Sequence, residues 1–135
     1  IGFIFSALVL QTIYILKPNW ACKIGGIWLT GFAAIFSLLA SITGQIEYKK
    51  ALSMNYSSEI MKTLETHQTM GNIFTWTIII FAIVWINLFF RKMDDRRIDV
   101  FALAVLLFLS IGAILTSYYG GTLVWEYGVG INEPI

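Results

Sequence analysis

Val100–Val124 reads VFALAVLLFLSIGAILTSYYGGTLV and contains no Asp, Glu, Lys, Arg or His. A helix rises about 1.5 Å per residue, so about 20 residues cross about 30 Å of hydrocarbon. A soluble helix of this length would carry a polar face, and this stretch has none. A membrane β-barrel would show short alternating segments instead of a solid run. The stretch is therefore predicted to be a transmembrane helix.

Three further apolar stretches lie upstream, at Ile1–Leu16, Ile24–Ile46 and about Met70–Phe90. The expected fold class is all-α: an integral membrane four-helix transmembrane bundle forming one domain over 1–135. Its helices are expected at about 1–16, 24–46, 58–92 and 98–125. Composition agrees, since 58% of residues are hydrophobic and 13% charged, against about 45–50% and about 25% in soluble domains. Such a chain has too little polar surface for water, whereas lipid accepts the excess. The chain opens inside an apolar run without an initiator Met, so residues upstream of Ile1 are expected.

A net charge of +1 leaves no field for nucleic acid. The single cysteine, Cys22, excludes a disulfide or a cysteine-based zinc site within the chain. The connections are polar. Lys17–Lys23 reads as a turn with Pro18 stopping the first helix. Arg91–Asp99, RKMDDRRID, reads as a second short link. In the longer connection Glu47–Thr69, Asn55-Tyr56-Ser57-Ser58 with Glu59 is a helix start. Ile60, Leu64, His67 and Gly71 then share one helical face.

The two short turns hold Lys17, Lys23, Arg91, Lys92, Arg96 and Arg97, against Lys49, Lys50 and Lys62 on the opposite side. The positive-inside rule puts the short turns in the cytoplasm and both chain ends outside it. Trp20 and Trp28 on one side, and Tyr48, Tyr56, Tyr118, Tyr119, Trp125 and Tyr127 on the other, read as interfacial anchors. Small residues recur at Gly112, Thr116 and Gly120, at Ala113, Ser117 and Gly121, and at Ala33, Ser37, Ser41 and Gly44. Such stripes let helices approach closely; they are expected to face each other or the first helix. Alternatively, they leave room for a flat cofactor or a lipid.

Three stretches carry a resemblance: ITGQIEY at Ile42–Tyr48, THQTMG at Thr66–Gly71, and GGTLVWEYGVGIN at Gly120–Asn132. Together they resemble the bacterial membrane-protein family called domain of unknown function 2231, over essentially the whole chain. The resemblance implies a four-helix fold in a bacterial inner membrane, with several histidines near one face. Some belong to a His-Pro and His-Phe-Pro signature ahead of the first helix, and Ile1-Gly2-Phe3 resembles the family's residues immediately after that signature. His67 matches the family's histidine before helix three. Tyr127 stands where the family tends to have another. Members fused to cytochrome-like domains imply redox company.

His67 is the candidate cofactor-binding residue. Imidazole can ligate haem iron or a chlorophyll magnesium, or hydrogen-bond a quinone oxygen. A packing histidine bonded to Gln45, Glu47 or a neighbouring carbonyl is the competing reading. A six-coordinate haem b needs a second axial ligand, and Met54 and Met61 lie on the same side as His67 without being singled out. No catalytic residue and no metal site is expected: Glu65 and His67 diverge at a spacing of two, and Cys22 has no histidine on its side. The spans read as free of charged residues, which disfavours a proton-driven transporter. Gln11, Ser37, Thr75 and Asn87 are then the strongest intramembrane polar groups, and interhelical bonding is expected of them. The expected role is an accessory or structural subunit, not an enzyme, that anchors a larger respiratory or photosynthetic complex through other membrane subunits. The alternatives are a small electron-transfer subunit binding haem b or quinone near the outer face, and a transporter of an uncharged solute.

Overall fold

The computed structural model describes residues 1–54, 56–92 and 95–130. They form four helices: α1 (Gly2–Leu16), α2 (Trp20–Leu52), α3 (Ser58–Arg91) and α4 (Arg96–Trp125). The last three are long and apolar enough to cross a membrane, whereas α1 is apolar but shorter. Each helix packs on its neighbours in the cycle α1–α2–α3–α4–α1. Consecutive helices are antiparallel, so one end of the bundle carries both short connections and the other carries the α2–α3 connection.

Local chemistry sets the boundaries. Pro18 cannot continue a helix and pushes the residue before it out of the α region; Lys17 is indeed extended, with φ −139° and ψ 98°. The Asn19 side chain accepts a bond from Ala21 N at 3.0 Å, starting α2. Ser57 caps α3 by accepting from Ile60 N at 3.5 Å, where the sequence places that helix start. Asp95 caps α4 by accepting from Arg97 N at 3.0 Å.

α2 and α4 begin earlier than their apolar runs suggest, and α2 ends later. Extra turns at Trp20–Lys23 and at Arg96–Ile98 bring charged residues of the expected links into helices. The supposed turn residue Lys23 and link residue Asp99 are both buried in the bundle, at 3% exposure each. The apolar spans themselves carry no charged residue, but the helices extend beyond them and bury this pair just outside two of the spans.

The core lies toward that end. Ile4, Ala7, Ile78, Phe81, Trp85, Leu106 and Leu109 interlock in one buried cluster. The side chains facing outward are large and apolar, among them Trp28, Ile80, Ile83, Phe108 and Ile114, as a lipid-facing surface requires. A smaller cluster caps the opposite end, where Ala51, Leu64 and Leu123 meet Tyr48, Tyr56, Tyr127 and Val129.

The small-residue stripes do not face each other, because α2 and α4 sit diagonally. Gly112 lies against Phe74, and Gly120 against His67, both on α3. From α2, Ser41 donates to Asn72 at 3.0 Å and the Ser37 carbonyl accepts from Thr75 at 3.4 Å. Both stripes thus serve α3. Of the other intramembrane polar groups, Gln11 bonds to α4, whereas Asn87 is exposed on α3.

Candidate functional site

α3 enters the bundle between the two small-residue stripes, and His67 meets α4 near that entrance. His67 Nδ1 lies 3.0 Å from the Thr116 carbonyl. A carbonyl can only accept, so Nδ1 carries the proton of that bond. In the neutral ring Nε2 is then an unprotonated acceptor. It makes no hydrogen bond among the described residues. The Thr116 carbonyl is available because Gly120 carries no side chain. A Cβ at Gly120 would stand 2.9 Å from His67 Cε1. A glycine at this one place therefore seats the ring.

Two cavities meet at this histidine. The inner one, about 280 Å³, runs between α2 and α3, bordered by the start of α1 at Ile1, Phe3 and Ile4 and by Thr116 of α4, from Gly44, His67 and Gln68 down to Ala33 and Ile78. Gly44 to Ala33 is about 16 Å along α2. Its wall carries Ser37, Ser41, Asn72 and Thr75 among Phe36, Phe74 and Ile78. The outer one, about 350 Å³, also touches Gly44, His67 and Gln68, and reaches Glu47, Tyr48, Met54, Tyr56 and Val129. Together they form a cleft that is polar near His67 and apolar at its depth.

The glycine-rich ending closes the outer cavity. Gly128 and Gly130 have φ of 64° and 83°, a left-handed region that other residues enter at a cost. They fold the chain back so that Val129 N donates to the Leu123 carbonyl at 2.9 Å. Tyr127 does not join His67; its hydroxyl donates to Glu59 Oε1 at 3.2 Å. Partial burial, and then the Glu59 carboxylate, hold that phenol above its usual pKa, so it stays a donor. The three stretches that carry the family resemblance thus converge, supplying Gly44, His67, Gln68, Gly120 and Gly130 to one cavity. Asn132 lies outside the described residues.

Among the described residues the two cavities offer no clear second axial ligand for a six-coordinate haem. Met54 lines the outer cavity, but its sulfur already accepts from Tyr56 at 3.3 Å, and Met61 lines neither cavity. Hydroxyl and carboxamide groups on an apolar wall instead match a ring bearing carbonyl oxygens. Among the described residues, no three metal-ligating side chains gather.

A second polar centre lies at the end with the short connections, and its burial was not anticipated from the sequence. Lys23 Nζ stands 3.1 Å and 3.3 Å from the two Asp99 carboxylate oxygens. It also donates to Tyr14 at 3.3 Å and lies 5.8 Å from the Phe89 ring centre. Gln11, fully buried, donates to the Asp99 carbonyl at 2.9 Å. All four helices meet there. The signal was present: Lys23 lies four residues past the Asn19 cap and Asp99 four past the Asp95 cap.

Comparison with curated proteins finds no match, and neither does comparison with solved structures. A family model described as Predicted membrane protein (DUF2231) matches residues 1–133. The full-length match, on a bundle whose resemblance motifs converge on one cavity, makes this chain a member of that family of predicted membrane proteins.

Proposed function

We propose that this chain is an accessory membrane subunit whose own contribution is to hold a quinone or quinol at His67. One observation carries the reading: Nδ1 is committed to the Thr116 carbonyl at 3.0 Å, which leaves Nε2 unbonded where two cavities meet. That nitrogen can accept from a quinol hydroxyl, or donate to a quinone carbonyl once protonated. Asn72 and Gln68 offer further carboxamides on the same wall. The apolar depth at Phe36, Phe74 and Ile78 suits the ring's substituents. The basic short connections at the far end support a cleft that faces the non-cytoplasmic side.

The test is an anaerobic titration of the purified full-length protein with decylubiquinol. Saturable binding at one site is expected, weakened about tenfold in His67→Ala and partly restored in His67→Gln, whose amide can replace one hydrogen bond. Equal binding in all three would overturn the reading. A reduced-minus-oxidised spectrum with a b-type α-band that His67→Ala abolishes would overturn it in favour of haem.

A further inference from the structure

At the other end of the α2–α3 pair from His67, α2 and α3 enclose an apolar groove of about 490 Å³. Its walls are Ile24, Ile27, Trp28, Phe32, Ile86 and Phe90, and Gly31 forms part of its floor with nothing within 4 Å of where a Cβ would stand. Trp28 is 64% and Phe90 76% exposed. The groove runs to the end of the bundle that carries the short connections. Phe90 is followed at once by Arg91 and Lys92, both exposed and without an ion-pair partner among the described residues.

Charge separates the two ends. With Lys23 and Asp99 neutralising each other, the short connections hold Lys17, Arg91, Lys92, Arg96 and Arg97 against Asp94 and Asp95. Among the described residues, the opposite end holds Lys49, Lys50 and Lys62 against Glu47, Glu59, Glu65 and Glu126. An apolar trough that ends on excess positive charge has the layout of a phospholipid: acyl chain in the trough, headgroup at the cations. Basic pockets between transmembrane helices recognise anionic headgroups.

We infer that the α2–α3 groove is a binding site for an anionic phospholipid, with its acyl chain along Gly31 between Trp28 and Phe90 and its phosphate at Arg91 and Lys92. Neutral lipid fills the same trough less well, because only the headgroup charge distinguishes the two. Each cation near an anionic headgroup is worth about fivefold in occupancy.

Trp28 reports on the groove. In a form carrying Trp20→Phe, Trp76→Phe and Trp125→Phe, the remaining second tryptophan, Trp85, is buried in the core and supplies an unquenched background. The full chain is placed in phosphatidylcholine vesicles containing a minor fraction of brominated lipid, either phosphatidylglycerol or phosphatidylcholine. The expected result is stronger quenching by the brominated phosphatidylglycerol, with a selectivity that falls at least about fivefold in Arg91→Gln/Lys92→Gln. Lys49→Gln/Lys50→Gln, at the other end, keeps the selectivity and shows that lost charge alone is not the cause. Circular dichroism confirms that each variant folds. Equal quenching by the two brominated lipids would overturn the assignment, as would protection of Trp28 from both, which would mean that protein covers the groove.

Discussion

At the scale of single residues, two buried polar arrangements have different consequences. His67 is held by Thr116 and seated by Gly120. Gly120→Ala puts a methyl 2.9 Å from Cε1, and α4 backbone cannot yield as a long side chain would. This substitution is expected to turn the ring off the Thr116 carbonyl and weaken decylubiquinol binding about as much as His67→Ala, while circular dichroism stays unchanged. Retained binding would show that the ring's seat does not matter. Lys23 and Asp99 behave differently. Removing one partner strands a buried charge, so Lys23→Ala or Asp99→Ala is expected to destabilise the bundle by about 3–5 kcal/mol, whereas Lys23→Met/Asp99→Leu is expected to be near neutral. Unfolding in mixed micelles measures this, and a double variant as weak as either single one would contradict it.

At the scale of elements, the helices were legible because lipid leaves solid apolar runs, and Ser57 marked the start of α3 through its cap. What the runs concealed was the extra turns. Hydropathy stops at the first charged residue, but a backbone capped at Asn19 or Asp95 is already helical, so Lys23 and Asp99 passed for turn residues. The pairing of the small-residue stripes was illegible for another reason. A stripe says that something comes close without saying which helix, and both stripes turned out to serve α3. His67 stood out as the chain's one histidine, yet its partner is a backbone carbonyl, which no sequence pattern displays. The glycine ending now has a geometric cause. Gly128→Ala forces a left-handed backbone onto an alanine and is expected to cost about 1 kcal/mol and to loosen Val129 from the outer cavity. Faster hydrogen exchange at the Val129 amide, which bonds Leu123, would report it; unchanged exchange would mean the turn is not what closes the cavity.

For the whole molecule, the two ends differ in charge and in what they hold. One end ties all four helices through Lys23 and closes over an apolar core; the other opens as a cleft at His67. The charge asymmetry is the basis for proposing that the short connections lie in the cytoplasm. A cysteine placed at Lys92 in a Cys22→Ser background is then expected to resist a membrane-impermeant maleimide in intact cells, while one at Ser53 reacts; the reverse labelling would invert the topology. His67 is proposed to present a free, accepting Nε2 to a quinol hydroxyl. Because this chain has one histidine, ¹⁵N-histidine NMR of the protein in micelles reads that ring directly. The expected spectrum shows an unprotonated Nε2 and a hydrogen-bonded Nδ1–H without ligand, with the Nε2 resonance moving on anaerobic addition of decylubiquinol and the Nδ1 resonance nearly still. A proton already on Nε2 with Nδ1 bare, or a spectrum that decylubiquinol leaves unchanged at saturation, would contradict this.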